Sequence, residues 1–232
     1  MQIVVGTSGF SYPAWKGSFY PSDMPGTGML KYYGERFGTV EINNTFYRMP
    51  KKEMLEKWPA QVPSTFTFVL KASQRITHIK RLKNVEDEVA YFLENAAVLG
   101  SQLGPILVQL PPTARKDVER LRTFLDLLPK DRPAAMEFRH ESWHAEDVYQ
   151  VLRDHDAAMC IADTDEASTP FVATAGWGYL RLRGTDYPAD ELRDWVKKVH
   201  DQDWSNAYVF FKHEDAGRGP ALANDFVALL DK

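Results

Sequence analysis

Eight short segments rich in apolar, β-branched and aromatic residues recur along the sequence, and longer segments separate them. Regular alternation of strands with helical segments is typical of parallel strands joined by crossovers. Eight repeats in 232 residues predict an α/β fold, a compact (β/α)8 barrel of the TIM type, formed by a single domain over residues 1–232. The predicted strands are residues 3–8, 39–43, 66–72, 105–110, 134–139, 158–163, 178–183 and 207–212. An open, doubly wound sheet is the alternative architecture.

Two of the segments between strands carry an apolar stripe at helical spacing. These are residues 85–103, with an expected end at Gly104, and residues 115–128, with an expected end at Pro129. The stripes consist of Val85, Val89, Phe92, Leu93 and Ala96 in the first segment and Val118, Leu121, Leu125 and Leu128 in the second. Residues 164–177 contain Ser, Thr, Pro and Gly but no such stripe. This sixth crossover is therefore predicted to be an irregular, non-helical loop.

The charge balance and cysteine content limit the protein's location and partners. A net charge of −4 and a pI near 5.9 make nucleic acid a possible but not a favoured partner, and they argue against an anionic membrane. Cys160 is the single cysteine, so no intramolecular disulfide forms, and the first residues resemble no signal peptide. We expect a cytoplasmic protein without membrane association. The sequence indicates no cofactor, no bound metal and no particular protein partner.

Polar residues occupy one face of several predicted strands near their carboxyl ends. Side chains two apart in a strand point the same way, so Glu41 and Asn43 oppose Val40 and Ile42. The same alternation points these residues into the barrel: Lys71, Gln109, Glu137, Arg139, Asp163, Arg181, Arg183 and, less clearly, Lys212. Active sites of such barrels lie at the carboxyl ends of the strands, which predicts a ligand site there. The alternative is a set of ion pairs that only fills the barrel top.

Glu41 and Glu137 come from different strands and are candidates for an acid and a base on either side of a ligand. A carboxylate pair in a partly dry cavity tends to split its pKa values, which would leave one carboxyl protonated. The alternative is that each glutamate pairs with Arg139 or Arg181.

The predicted inward face is rich in basic side chains. Lys71, Arg139, Arg181 and Arg183 suit a phosphate or carboxylate group, which predicts a small anionic ligand. The alternative is that the guanidinium groups only neutralise the inward acids.

A divalent-metal site is a second hypothesis, because barrels that hold divalent ions use Glu, Asp and His at their rims. Glu41, Glu137, His140 and Asp163 could form such a set and support phosphodiester hydrolysis on nucleic acid. HESWH (140–144) pairs its two histidines only if it is helical, which does not suit a strand end. A third hypothesis is a non-catalytic ligand sensor or partner-binding protein.

Other motifs have a more common structural interpretation. GTSG (6–9) could offer backbone N–H groups to an anion, but a tight turn is more typical. Cys160 lies in an apolar segment and is interpreted as a buried structural thiol. Most of the loop aromatics are expected to fill space between loops, and one or two to contact a ligand: Tyr12, Trp15, Phe46, Tyr47 and Trp143.

Seven motifs together resemble the signature of the YecE-like family, catalogued as domain of unknown function 72. They are GTSGFSYPAWKGSFYP (6–21), VEINNTFYRMP (40–50), ITH (76–78), LGPILVQLPP (103–112), EFRHESW (137–143), Cys160 with Asp163, and YLRLRG (179–184). The resemblance implies a TIM-type barrel without an established reaction. Its motifs cover Thr7, Ser8, Tyr12, Trp15, Glu41, Asn43, Phe46, Tyr47, Gln109, Glu137, Arg139, His140, Trp143, Asp163, Arg181 and Gly184. The segment FFKHED (210–215) departs from the family pattern of an aromatic followed by asparagines, so roles for Lys212 and His213 stay open.

Together these arguments predict an enzyme-like site whose reaction stays open among hydrolase, lyase and isomerase. The candidate catalytic residues are Glu41, Glu137, His140 and Asp163. The candidate ligand-binding residues are Thr7, Ser8, Asn43, Tyr47, Lys71, Gln109, Arg139, Trp143, Arg181 and Arg183.

Overall fold

The computed structural model describes residues 1–212 and 217–230, and its strands form a closed parallel barrel. The strands are β1 Gln2–Ser8, β2 Thr39–Ile42, β3 Thr67–Lys71, β4 Leu103–Gln109, β5 Ala134–Glu137, β6 Ala158–Asp163, β7 Trp177–Leu182 and β8 Asn206–Phe211. They follow one another in chain order around the barrel, and β8 pairs with β1 from Gln2↔Asn206 to Thr7↔Phe211. The TIM-type barrel is confirmed, and this closure excludes the open sheet.

Helices cover most of the crossovers in the described residues. They are α1 Met29–Gly34, α2 Asn44–Tyr47, α3 Lys52–Leu55, α4 Glu86–Ala96, α5 Val118–Leu125, α6 Glu146–Asp154, α7 Ala189–His200 and α8 Arg218–Leu230. None of these described helices is long and apolar enough to span a membrane. Residues 164–176, all described, contain no helix, which confirms the irregular sixth crossover.

Both predicted helices are shorter than expected, and one expected end is wrong. After α4 the chain continues as a 3₁₀ segment in which Gly100 has a φ of 56°. Gly104 ends no helix but lies inside β4, where a Cβ would meet Thr67 at 2.4 Å. The neighbouring strand therefore requires this glycine. Helix α5 begins at Val118 because the Asp117 side chain accepts a hydrogen bond from the Arg120 backbone N–H at 3.0 Å.

Apolar side chains fill the barrel interior below the polar rim. The buried interior residues are Val69, Leu107, Ala135, Ala158, Cys160, Trp177, Tyr179 and Phe210. Burial raises the pKa of the Cys160 thiol well above its usual value, so the thiol stays protonated and unreactive. This agrees with the structural interpretation of Cys160. The packed interior also places every reactive polar group of the barrel at its carboxyl end.

Candidate functional site

Arg181 from β7 joins two carboxylates at the centre of the barrel mouth. Its Nη2 donates to Glu41 Oε1 of β2 at 2.7 Å, and its Nη1 donates to Glu137 Oε2 of β5. All three side chains are at most 2% exposed. Tyr179, two residues before Arg181, donates its OH to Glu41 Oε2 at 2.7 Å, and Asn43 Nδ2 lies 3.2 Å from Glu41 Oε1. Both oxygens of Glu41 are therefore engaged inside the protein.

Both glutamates are ionised at neutral pH. Burial by itself disfavours their charged forms, but at Glu41 the charge of Arg181 and the hydrogen bonds from Tyr179, Arg181 and Ser8 together outweigh burial and lower the pKa. Arg181, Arg139 and Arg183 likewise outweigh burial at Glu137 and lower its pKa to about 2. The expectation that one carboxyl of the pair is protonated is wrong, because Arg181 stands between the two groups and favours the charged form of each.

A chain of hydrogen bonds connects Glu137 to a buried lysine. Gln109 of β4 donates its Nε2 to Glu137 Oε1 at 2.6 Å and accepts from Lys71 Nζ of β3 at 2.9 Å. Nζ also lies 4.1 Å from the centroid of the Phe46 ring. Burial, followed by the charge of Arg181, lowers the pKa of Lys71 to about 8. The ammonium therefore loses its proton more readily than an ordinary lysine does.

Arg139 and Arg183 surround the same carboxylate but leave donors unused. Arg139 Nε donates to Glu137 Oε1 at 3.2 Å, whereas Arg183 Nη1 lies 4.0 Å from that oxygen. Within the described part of the chain, the two Nη groups of Arg139 donate no hydrogen bond, and Arg183 Nε is buried without a partner. Three guanidinium groups thus lie around Glu137, whereas neutralising the two carboxylates of Glu41 and Glu137 requires two positive charges. The hypothesis that the arginines only neutralise these acids therefore leaves one guanidinium charge unexplained.

A cleft of about 650 Å³ opens beside Glu137. Arg139 and Arg183 line it, together with residues 164–169 of the irregular crossover. His144 also faces the cleft, and its Nε2 is buried without a hydrogen-bond partner among the described residues. Burial lowers the pKa of His144, so a neutral imidazole is available to a ligand there.

Two of the candidate catalytic residues lie away from the Arg181 cluster. Asp163, at the end of β6, accepts hydrogen bonds from Tyr187 OH at 2.7 Å and from the Ser168 hydroxyl. His140 Nδ1 accepts from the Ser142 backbone N–H at 3.1 Å and caps the 3₁₀ helix Glu141–Trp143. Both residues thus hold the loops around the cleft.

Two candidate ligand residues, Thr7 and Trp143, have structural contacts instead of a place in the cluster. Thr7 follows the opposite strand parity to Ser8, and its Oγ1 lies 2.9 Å from Tyr33 OH on α1. Trp143 is buried and stacked on Phe138 with centroids 4.7 Å apart, so it fills space. Tyr47 is 68% exposed at the rim. Ser8 is buried beside Glu41.

The expected tight turn at GTSG is wrong, because Gly6, Thr7 and Ser8 are the last residues of β1 and only Gly9 follows the strand. Gly9 has a φ of +93°, and its N–H donates to the Glu41 backbone oxygen at 2.8 Å. This hydrogen bond fixes the start of the first loop against β2. At the other end of the chain, Lys212 follows β8 and its N–H donates to Leu182 O at 3.1 Å, whereas His213 lies outside the described residues.

Sequence reasoning missed several residues of the site. Tyr179 occupies the inward parity of β7 two residues before Arg181, so strand alternation alone could have identified it. His144 belongs to the motif HESWH (140–144) after β5, but it is not among the candidate catalytic or ligand-binding residues predicted from the sequence. No residue pattern marked residues 164–169 as a cleft wall, because a non-periodic loop does not reveal its packing.

The acidic residues do not converge as a metal site would require. Across residues 1–212 and 217–230, no three His, Cys, Asp or Glu side chains are grouped so that they could hold a metal ion. Glu41 and Glu137 both bind Arg181, and the guanidinium group lies between the two carboxylates, where a shared metal ion would have to lie. His140 and Asp163 contact other partners.

Comparison with known proteins identifies the family. The model described as "Protein of unknown function DUF72" matches residues 4–232. The chain belongs to the DUF72 family. This DUF72 chain is 31% identical to UPF0759 protein YecE of Escherichia coli K12, over 96% of its own length and 90% of that protein. It is 24% identical to UPF0759 protein YunF of Bacillus subtilis, over 92% and 90% of the two chains.

Solved DUF72 structures share the barrel. A DUF72 family protein from Thermotoga maritima superposes with a TM-score of 0.90 at 27% identity, covering 100% of both chains. A DUF72 protein from Enterococcus faecalis has a TM-score of 0.82 at 22% identity, covering 100% of this chain and 96% of that one. The fold is therefore common to DUF72 proteins, whereas the family assigns no substrate.

Proposed function

We propose that this DUF72 protein is an enzyme that binds a small phosphate- or carboxylate-bearing substrate in the cleft beside Glu137. The unused donors of Arg139 and Arg183 carry this proposal. A buried guanidinium N–H without a partner is unfavourable, and an anion in the cleft would supply the missing acceptor. The cleft is also large enough for a small metabolite, at about 650 Å³.

The charges around the cleft favour a negative ligand. At the buried side of the cleft, Lys71, Arg139, Arg181 and Arg183 face two ionised carboxylates, those of Glu41 and Glu137, which leaves positive charge in excess there. The other acids of the lining, Glu141, Asp165 and Glu166, are exposed, so water screens their charges. The low dielectric of a partly closed cleft strengthens the attraction for an anion. This local excess contrasts with the net charge of −4 of the whole chain.

The two glutamates have different roles in this proposal. Glu137 lines the cleft as an ionised carboxylate, so a bound substrate could transfer a proton to it once the substrate displaces one of the donors on its oxygens, Gln109, Arg139 or Arg181. Glu41 is not part of the cleft lining, and its oxygens bind Arg181, Asn43 and Tyr179, so it acts as a positioning residue for Arg181. His144 offers one further hydrogen bond from the cleft wall.

Thermal unfolding with a panel of anions tests the proposal. The panel contains inorganic phosphate, phosphorylated sugars and carboxylates, each with wild type, Arg183→Ala and the surface control Arg153→Ala. A ligand at about 100 times its Kd adds about 2.7 kcal/mol of stability, which shifts Tm by several degrees. We expect the shift in wild type and in Arg153→Ala, and its loss in Arg183→Ala.

Two outcomes would contradict the proposal. A panel without any shift, in a protein that unfolds cooperatively, would exclude a small-anion site. An equal shift in all three proteins would place the anion elsewhere. Product analysis by NMR with the best ligand then separates an enzyme from a sensor, because saturable binding without product would support the sensor.

A further inference from the structure

Lys71 is a buried amine without a carboxylate partner. It is 7% exposed at the end of β3. Its polar contact in the described residues is the neutral Gln109 amide oxygen at 2.9 Å, and the Phe46 ring lies on another side of Nζ. Buried lysines normally pair with an acid, because an ammonium without a counterion is costly to desolvate. This arrangement favours the neutral amine over the ammonium.

The surroundings of Lys71 taken together act in the same direction. Burial and then the charge of Arg181 lower the pKa of Lys71 from 10.5 to about 8; Arg139 adds to the effect, whereas Glu41 and Glu137 oppose it. At pH 7 about a tenth of the side chain is the neutral amine, roughly 300 times the fraction expected at the ordinary pKa. A neutral amine is nucleophilic, whereas an ammonium is not.

We propose that Lys71 forms an imine with the carbonyl group of an anionic aldehyde or ketone whose carboxylate or phosphate lies on Arg139 and Arg183. This inference rests on the proposed anion site and names the substrate class. Lys71 is connected to the cleft through Gln109, whose Nε2 binds the cleft-lining Glu137 at 2.6 Å. Arg139 Nε binds the same oxygen of Glu137 at 3.2 Å, so this one carboxylate oxygen connects Arg139 to the hydrogen-bonded pair of Gln109 and Lys71.

The step balances without an oxidant or reductant. The amine lone pair attacks the carbonyl carbon, the C–N bond forms, and the carbonyl π pair moves to oxygen, which takes a proton. The carbinolamine C–O bond then breaks, and the oxygen leaves as water with a second proton. Overall, a lysine ammonium and a carbonyl compound become a protonated imine and one water molecule.

His78 is placed near this chemistry. It packs edge-on against Phe46 with ring centroids 4.8 Å apart, and its Nδ1 lies 2.9 Å from Thr77 Oγ1. Burial and then the charge of Lys71 lower the pKa of His78, so the imidazole is neutral at pH 7 and able to accept a proton. Phe46 thus contacts both the amine and the imidazole.

Reductive trapping tests the proposal on the whole protein. Wild type is incubated at pH 7 with sodium cyanoborohydride and either pyruvate, glyceraldehyde 3-phosphate or uncharged acetone, and peptides are then mapped by mass spectrometry. A trapped imine adds the mass of the carbonyl compound less one oxygen atom. Lys31, exposed on α1, is the control amine. We expect Lys71 to react about tenfold or more faster than Lys31 with an anionic carbonyl.

The separate arms identify the anionic group. Faster trapping with pyruvate than with glyceraldehyde 3-phosphate would indicate a carboxylate substrate, and the reverse order would indicate a phosphate. Lys71→Arg keeps the charge but cannot form an imine, so this variant should lose the adduct. Unmodified Lys71, or equal modification of Lys71 and Lys31 in wild type, would overturn the imine proposal even if the variants fail to fold.

Failure of the imine and failure of the anion site give different results. If anions stabilise wild type but not Arg183→Ala while Lys71 stays unmodified, the anion site stands and the imine does not. If no anion stabilises the protein but acetone and pyruvate modify Lys71 equally fast, the anionic substrate class is overturned.

Discussion

Arg181 Nη2 lies 2.7 Å from Glu41 Oε1 inside the barrel, and the two side chains are 2% and 0% exposed. The second Nη of Arg181 binds Glu137. The guanidinium of Arg181 on β7 therefore links β2, which carries Glu41, to β5, which carries Glu137. The three charges are at most 2% exposed, so each depends mainly on the others for its stabilisation.

Replacing Arg181 should destabilise the protein strongly. Arg181→Met leaves Glu41 and Glu137 buried without a counterion, and we expect a loss of about 3–5 kcal/mol in the free energy of unfolding. Urea unfolding measures it. The control is Arg153→Met, whose partner Glu146 is 75% exposed and whose loss should cost less than about 1 kcal/mol. Similar losses in both variants would contradict the importance of the buried link.

Acid should remove a defined part of the stability. The pKa of Glu137 is about 2 in the folded protein against an ordinary 4.5, so the unfolded chain takes up the proton first as pH falls. The resulting stabilisation, about 3 kcal/mol, is fully present above pH 4.5 and is lost as pH falls toward 2. Urea midpoints across this range should fall less steeply for Glu137→Gln than for wild type. Parallel curves would show that Glu137 is not the group responsible.

Glu137→Gln should separate binding from turnover. The substitution removes the negative charge that competes with a ligand for Arg139 and Arg183, so anion affinity should rise about tenfold. Turnover of the substrate should fall by about 10²-fold or more, because a neutral amide accepts no proton. Calorimetry and a product assay measure the two effects. Weaker anion binding in this variant would contradict the competition, and unchanged turnover would remove Glu137 from the mechanism.

The first loop depends on the conformation of Gly9. An alanine Cβ there would lie 2.5 Å from the Tyr12 hydroxyl, at a φ of +93°. We expect Gly9→Ala to cost about 1–2 kcal/mol or more in urea unfolding, because left-handed backbone is unfavourable for L-residues and Tyr12 must move. Gly26→Ala is the matched control, since no atom lies within 4 Å of its added Cβ. An equal effect of the two substitutions would argue against a glycine-dependent backbone at Gly9.

Metal removal should leave the anion site unaffected. The acidic groups of the barrel mouth are already bound, Glu41 and Glu137 to Arg181 and Asp163 to Tyr187. Treatment with a chelator, followed by the anion titration, should give an unchanged Kd. A loss of anion binding that added Mg²⁺ or Zn²⁺ restores would favour the phosphodiester-hydrolase hypothesis.

Strand parity predicted the central cluster well. Alternation placed Glu41, Gln109, Glu137 and Arg181 on inward faces near strand ends, and the structure brings them together. Thr7 is a candidate from the family motif alone, and it lies one position away from the inward parity of β1, with its hydroxyl against Tyr33 on α1. A family motif does not distinguish residues that bind a ligand from residues, such as Thr7, that pack against a helix.

The protonation states could not be predicted from the sequence. Whether two glutamates split their pKa values depends on what stands between them, and that is decided by the position of Arg181 across the barrel. The capping role of His140 likewise depends on the local turn that brings the Ser142 N–H to its ring. These are short-range geometric facts that residue spacing alone does not contain.

The helix-free crossover from β6 to β7 has a consequence for how this barrel can diversify. Its first residues, 164–169, form a wall of the cleft, whereas Phe171 further on packs near Trp195 and Trp204 and fixes the segment to the barrel. The wall contributes no strand and no helix to the fold. Insertions or exchanges there can reshape the cleft while the strand register is kept. Changes of selectivity between relatives should therefore concentrate in this short stretch, which makes it the natural place to graft a new specificity.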